Sequence, residues 1–305
     1  MYKNFSKFII SFVFVLIFSF SFISCDNSSS NNNYENIKLY NTGNQQIEEV
    51  SLENYIEGVV AGEIENDAPI ESLKAQAILA RTFTLKFLED NKSKYEGADI
   101  STDITEAQAY NKEFINDNIK KAVKQTKGIV LKNNNEYINA WFHANSGGKT
   151  SSAKEGLSYN NKEPDYIKSI ETKENNENTK NFTWSVTFSK EEILNTLRNM
   201  GVSLTNISSF EKGEIGKSGR CLTFIIGGKE VSANTFRLNI GSTKLKSTLI
   251  DNITVNEDSV TISGFGYGHG VGLSQEYAKV LAKEGKNYKD IIKTFFDNVK
   301  FENIN

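Results

Sequence analysis

The sequence of 305 residues predicts an α+β protein that combines helices with antiparallel strands. The segment 51–88 carries apolar residues at helical spacing. Several segments after Gly128 instead alternate apolar and polar residues, as strands do, and short turns join them. Helices and strands do not alternate in the regular order of a parallel α/β sheet, and no internal repeat is present.

The first part of the folded chain contains two predicted helices separated by an acidic turn. Ser51 suits the N-cap of the first helix, which reaches Glu63. Pro69 suits the first turn of the second helix, with Asp67 or Ala68 as its cap. This order places Glu63 at the junction of the two helices.

The later part of the chain is predicted to be rich in strands. Its elements, in chain order, are a hairpin over 128–144 that turns at 133–135, an exposed charged loop over about 171–181, a strand over 182–188, a helix over 191–200 with a capping box of Ser189 and Glu192, a hairpin over 221–233 that turns at Gly227 and Gly228, a strand over 259–264, and a helix over 274–285.

Residues 1–25 are predicted to be a signal peptide or a membrane anchor. Lys3 and Lys7 precede an apolar run that ends at Cys25, as in an export signal. The run has nearly the ~20 apolar residues that span a bilayer. The segment 22–25 is similar to a lipoprotein processing box, with Phe22 in place of the usual leucine. Lipidation of Cys25 and an uncleaved signal anchor therefore remain as alternatives.

A polar linker is predicted over 26–37, followed by one folded domain over 38–305, outside the cell membrane in either case. The net charge of −3 and the mixing of lysines with acidic residues exclude a basic surface for nucleic acid. Cys221 is the only cysteine after residue 25, so the folded part has neither an internal disulfide nor a CxxC metal pair.

Glu63 is the candidate acid. It follows the apolar segment VVAG, which would partly desolvate its carboxyl and raise its pKa towards that of a general acid. A glutamate beside an acidic turn is more often part of the solvated surface. Glu65, Asp67 and Glu71 already supply carboxylates to the next helix start, however, so capping does not require Glu63.

Two glycine-containing loops are candidates for binding. The segment 141–152, WFHANSGGKTSS, offers hydroxyls and amides to a polyol, although an ordinary turn after a strand explains it equally simply. The segment 264–275, GFGYGHGVGLSQ, places Tyr267 and His269 between glycines that allow a close backbone approach. It lacks the Lys-Ser/Thr ending of a phosphate loop. The chain also lacks the GxSxG and HExxH motifs of serine hydrolases and zinc proteases.

Taken together, these segments resemble the stage II sporulation protein D family and its amidase-enhancer relatives. The resemblance covers about residues 38–302 in the family's order. The matching segments are YIEGVVAGE (55–63), LKAQAILARTF (73–83), HANSGGKT (143–150), FRLNIGSTKLKST (236–248) and GFGYGHGVGLSQEYA (264–278).

The resemblance implies a lytic transglycosylase that cleaves the MurNAc-GlcNAc bond of peptidoglycan and leaves 1,6-anhydro-MurNAc ends, in sporulation engulfment. It makes Glu63 the catalytic residue, at a substrate cleft. One carboxyl is enough for this chemistry, whereas ordinary glycoside hydrolysis uses two. Glu57 and Glu65 remain open as a second partner.

Further site residues are predicted from the same loops and segments. The candidates for sugar binding are Arg81, His143, Ser146, Gly147, Gly148, Arg237, Tyr267, His269, Ser274 and Gln275. A buried structural ion pair would explain Arg237 equally well. No cofactor and no metal is predicted, because the loop after His143 lacks the cysteines that bind zinc in some relatives.

The expected substrate is a peptidoglycan glycan strand that has lost its peptides, with a cell-wall amidase as the partner that removes them. The expected location is the cell membrane, with an N-terminal anchor and the domain on the extracytoplasmic side. An alternative is a noncatalytic glycan-binding activator of an amidase. A secreted solute-binding lipoprotein would fit Cys25 but would leave the glycine-histidine loop unexplained.

Overall fold

A computed structural model describes residues 35–304 of the chain. The predicted export segment, Cys25 and most of the predicted linker lie outside these residues. No helix within 35–304 has the length and apolar composition needed to cross a membrane.

Helices occur along the whole of the described chain, and a 3-10 turn at Lys112–Phe114 lies between two of them. The α-helices are α1 (Leu52–Glu63), α2 (Ile70–Asp90), α3 (Asp117–Gln125), α4 (Ala153–Leu157), α5 (Lys190–Asn199), α6 (Ala233–Ile240), α7 (Gln275–Lys283) and α8 (Tyr288–Phe295).

The strands are short and lie between these helices. They are β1 (Asn36–Asn41), β2 (Gln46–Ser51), β3 (Ile100–Ser101), β4 (Ile129–Asn133), β5 (Glu136–Tyr137), β6 (Phe142–His143), β7 (Thr183–Ser189), β8 (Phe210–Lys212), β9 (Thr223–Ile226), β10 (Lys229–Ser232), β11 (Ile250–Val255), β12 (Ser259–Phe265), β13 (Leu273–Ser274) and β14 (Lys300–Asn303).

The strands within 35–304 form small sheets, with the orders β2-β1-β3, β10-β9-β8, β11-β12-β7, β13-β6 and β14-β4-β5. Most neighbouring strands are antiparallel, and the pairs β1–β3 and β6–β13 are parallel. Helices and mainly antiparallel strands thus share one chain without βαβ repetition, which confirms the α+β class.

The predicted caps and turns are confirmed, with one shift at α2. The Ser51 and Ser189 hydroxyls accept hydrogen bonds from the amides three residues later, as N-caps do. The two predicted hairpins turn at positive φ, at Asn134–Asn135 and at Gly227–Gly228. The prediction of Asp67 or Ala68 as the cap of α2 was wrong. Pro69 itself holds the N-cap position, since its carbonyl already accepts the first amides of the helix.

Helix α2 lies between two hydrophobic cores. One of its faces, with Leu73, Ala77 and Ala80, packs against α1, α3 and β1. Ala75, Ile78 and Leu79 belong to a second core with α7 and α8. The many alanines let neighbouring helices approach closely on both faces. A third core joins α5 and α6 to the sheet β11-β12-β7.

Candidate active site

Glu63 is the last residue of α1, and its side chain is half-buried. The Ala109 amide donates a hydrogen bond of 2.6 Å to its carboxyl oxygen Oε1. Gly62 makes this approach feasible, because a Cβ at position 62 would lie 2.8 Å from the backbone of Ala109 and Tyr110. The helix end and the chain around Ala109 therefore hold the carboxyl from two sides.

The surroundings of Glu63 favour a protonated carboxyl. Burial raises the pKa of Glu63 to about 7, and the Ala109 hydrogen bond acts in the opposite direction. The unpaired carbonyls at the C-terminal end of a helix also disfavour a negative charge there. A carboxyl with this pKa can both donate and accept a proton near neutral pH.

Neither of the two neighbouring glutamates duplicates Glu63. The carboxylate of Glu65 pairs with Lys180 at 2.6 Å and with Lys279 at 2.9 Å, and these bonds lower its pKa. Glu65 is therefore an anion near neutral pH and a poor proton donor. Glu57 precedes Glu63 by six residues, which places it on a different face of α1, since a helix turns by about 100° per residue.

The two glycine-containing loops lie side by side. Strand β6 pairs with β13, and the backbones of Asn145 and Tyr267 exchange two hydrogen bonds. The rings of His143 and His269 are 5.7 Å apart between centroids. His143 Nδ1 lies 3.1 Å from the Val271 carbonyl, while the Val271 amide donates to His269 Nδ1 at 3.0 Å.

Both histidines are held neutral. Burial lowers the pKa of His269 to about 3, and it lowers the pKa of His143 well below its usual value. Neither imidazole can therefore serve as a proton donor near neutral pH. Their contacts are those of packed, hydrogen-bonded histidines.

Glu174 is a buried residue that the sequence analysis missed, and it corrects the prediction of a wholly exposed loop over 171–181. Its side chain is 5% exposed, whereas most of the loop is exposed. The groups that donate to its carboxylate are the amides of Ser146 and Gly148 and the hydroxyls of Ser146, Thr172 and Ser274. The donors come from three separate segments, so Glu174 joins the two glycine-containing loops.

Arg220 is a second residue that the sequence did not reveal. It is fully buried, and its guanidinium donates to the carbonyls of Lys149 at 2.9 Å and Ser146 at 2.7 Å. A Cβ at Gly270 would lie 2.4 Å from this guanidinium. The predicted close approach of the glycine backbone is therefore made to Arg220. Burial lowers the pKa of Arg220 to about 10.

The two predicted arginine contacts lie in buried structural positions. Arg81 is fully buried, and its guanidinium donates to both carboxylate oxygens of Glu53, at 2.6 and 2.9 Å. Arg237 donates to the carbonyls of Lys246 and Ser242 and has no acidic partner in the described structure. These contacts fit structural roles better than the sugar contacts assigned to them by sequence.

The other predicted loop residues divide into inward-facing and accessible groups. The buried hydroxyls of Ser146 and Ser274 face Glu174, and Gln275 donates to Gln76 on α2 at 3.2 Å. Gly147 and Gly148 are both half-buried. At Gly148, an added Cβ would meet no atom within 4 Å. Tyr267 is also half-buried, with the Lys246 ammonium 5.5 Å from its ring centroid.

Within residues 35–304, Glu63 makes no hydrogen bond to either glycine-containing loop. The ion pairs of Glu65, two residues later, are what connect this end of α1 to the later part of the chain. Lys279 of α7 binds Glu65, and Gln275, the first residue of α7, ends the glycine-containing segment 264–275. The same part of the chain contains no group of three His, Cys, Asp or Glu side chains placed to hold a metal ion.

Comparison with known proteins places this arrangement in a family. Residues 40–132 match the family described as stage II sporulation protein, and residues 125–272 match a domain of unknown function. Stage II sporulation protein D of Bacillus subtilis is 32% identical over 87% of this chain and 78% of its own length. An uncharacterized protein of Brachyspira hyodysenteriae is 30% identical over 87% of this chain and 70% of its own length. The amidase enhancer of Bacillus subtilis is 27% identical over 79% of this chain and 39% of its own length. The chain belongs to the stage II sporulation protein D family.

Proposed function

We propose that the protein is a lytic transglycosylase that cleaves the MurNAc-GlcNAc bond of peptidoglycan strands. The observation that carries the proposal is the half-buried Glu63 carboxyl, whose pKa is raised to about 7. Efficient general acid and base catalysis requires a pKa near the working pH. Glu65 remains an anion and the two histidines remain neutral, whereas Glu63 can exchange its proton near neutral pH.

The proposed reaction needs one carboxyl and no water. Protonated Glu63 gives its proton to the glycosidic oxygen as the bond from that oxygen to the muramoyl C1 breaks. The Glu63 carboxylate then removes the proton from the muramoyl C6 hydroxyl, whose oxygen bonds to C1 and closes the 1,6-anhydro ring. The proton moves from the C6 hydroxyl to the departing oxygen, so Glu63 ends in its starting state.

The proposed setting is the extracytoplasmic face of the cell membrane during sporulation, with an amidase that removes peptides from the glycan. Membership of the sporulation protein D family and the similarity to an amidase enhancer support this setting. The apolar N-terminal segment ending at Cys25 supports a membrane anchor. Lipid and transmembrane anchoring remain the two forms of this proposal.

The test is digestion of purified, peptide-free glycan strands, with mass spectrometry to detect anhydro-muramoyl ends. We expect the wild-type protein to produce these ends and Glu63→Gln to produce almost none, because the amide keeps the shape and loses the acid. Glu57→Gln is the matched control on the same helix and should retain activity.

Two outcomes would overturn the assignment. Unchanged activity of Glu63→Gln would remove Glu63 from the mechanism. A wild-type protein that binds glycan, yields no anhydro ends and stimulates an amidase would instead be the noncatalytic activator that its 27% identical relative suggests.

A further inference from the structure

We infer that a depression beside Glu65 is a binding subsite for a neutral acetamido sugar of the glycan strand, and that Glu174 positions one wall of it. The inference rests on the proposed function. The wall is the segment 174–180, called the strap below. The depression has a volume of about 430 Å³, and Glu65 on its rim lies two residues from Glu63.

The charges that line this depression nearly balance, with four carboxylates (Glu65, Asp67, Glu177 and Glu276) and three ammonium groups (Lys180, Lys279 and Lys283). Lys180 and Lys279 both bind Glu65, and Lys279 also binds Glu276 at 2.6 Å. Asn176 and Thr179 add amide and hydroxyl groups to the lining. A ligand with hydroxyl and acetamido groups can exchange hydrogen bonds with such a surface. Because the lining carries one more carboxylate than ammonium groups, it favours an uncharged sugar over the MurNAc lactyl carboxylate that peptide removal leaves.

The strap is held at both ends. At its start, the buried Glu174 accepts hydrogen bonds from Ser146 and Ser274, in the two glycine-containing loops. At its end, the Lys180 amide donates to Glu276 at 3.3 Å, and its ammonium binds Glu65.

Bonds within the strap fix its shape between these ends. The Asn178 side chain donates to the Lys173 carbonyl at 2.7 Å and accepts from the Asn175 amide at 2.9 Å. A wall fixed before binding loses little conformational freedom when a ligand arrives. Glu174 is thus a positioning residue, because it acts on the sugar through the strap and does not line the depression itself.

The test uses the Glu63→Gln protein, which should bind glycan without cutting it. A peptide-free glycan tetrasaccharide is titrated by calorimetry, and the melting temperature of each variant is recorded. We expect the further change Glu174→Gln to raise Kd about tenfold at a temperature where the variant is folded. That change corresponds to about 1.4 kcal/mol.

Two further variants separate positioning from folding. Glu171→Gln is the matched control, because Glu171 lies in the same loop, is exposed and pairs with Lys149. It should leave Kd unchanged. Lys180→Met keeps an extended side chain at an exposed position and removes the bond to Glu65, so it should raise Kd with little change in melting temperature.

The outcomes distinguish this inference from the proposed function. If the wild-type protein produces no anhydro ends, the proposed function fails first. If it cuts glycan while Glu174→Gln and Lys180→Met both bind the tetrasaccharide as tightly as the parent, the subsite inference alone is wrong. A fall in melting temperature of Glu174→Gln without any change in Kd would also overturn it, because Glu174 would then be only structural.

Discussion

Glu63 and Glu174 are both carboxyls withdrawn from water, but their surroundings are opposite. Within residues 35–304, a single amide, that of Ala109, donates to Glu63. Two amides and three hydroxyls donate to Glu174. Burial with one donor raises the pKa of Glu63 to about 7 and makes it a proton carrier. Burial with many donors makes Glu174 a joint between chain segments.

The difference shows what separates a chemical group from a structural one in this molecule. A carboxyl that transfers protons must keep both of its protonation states accessible, so few donors can be fixed on it. A carboxyl that joins three segments requires donors from each of them. Each experiment below changes one side of this contrast.

The largest expected effect is that of Glu63→Gln on the rate. A positioned general acid contributes about 10²- to 10⁴-fold to catalysis, so the rate of anhydro-end formation should fall by about that factor. The fold should be retained, since the Ala109 amide can donate to the amide oxygen of glutamine. Single-turnover digestion measures the rate, and circular dichroism checks the fold. A fall of less than about tenfold would contradict the role of Glu63.

The next effect is that of Glu174→Ala on stability. The variant leaves donors from three segments without their acceptor, and removal of one partner from a buried polar network costs about 4 kcal/mol. Urea unfolding measures the loss. Glu171→Ala, three residues earlier and exposed, should cost less than about 0.5 kcal/mol. If the two variants lose similar free energies of unfolding, Glu174 does not hold the three segments together.

The contrast also explains which features the sequence predicts. The caps at Ser51 and Ser189 depend on residues three positions away, so a local pattern predicts them. The sequence also predicts the partial burial of Glu63, from the apolar residues just before it. The Glu174–Ser274 contact instead joins residues 100 positions apart, within a loop whose composition indicates only exposure. The Arg81–Glu53 ion pair is missed for the same reason, because Glu53 lies on another helix.

The third effect is a dependence of stability on pH that comes from Glu63. Its native pKa of about 7 lies above the ordinary value of 4.5, so the native state binds the proton more tightly than the unfolded state does. The contribution is therefore fully present below about pH 4.5 and is lost as the pH rises through 7. Wild type should lose about 2 kcal/mol relative to Glu63→Gln between pH 4.5 and pH 8, once screening of the half-buried carboxyl is included. Urea unfolding of the two proteins at both pH values measures this. Parallel curves would mean that Glu63 titrates normally.

The smallest effect is a shift in the pH profile caused by Gly62→Ala. The new methyl group would lie 2.8 Å from the backbone of Ala109 and Tyr110, so this segment must move away from α1. The move weakens the one hydrogen bond that lowers the pKa of Glu63. We expect that pKa to rise by about one unit, or about 1.4 kcal/mol, which extends activity to higher pH. The pH profile of anhydro-end formation measures the shift.

Gly58→Ala is the control one turn earlier, where the methyl group meets the Tyr110 ring and not the Ala109 amide. It should therefore lower stability and leave the pH profile unchanged. If both variants shift the pH profile equally, the packing of α1 as a whole sets the pKa of Glu63. The hydrogen bond from the Ala109 amide would then not be the cause.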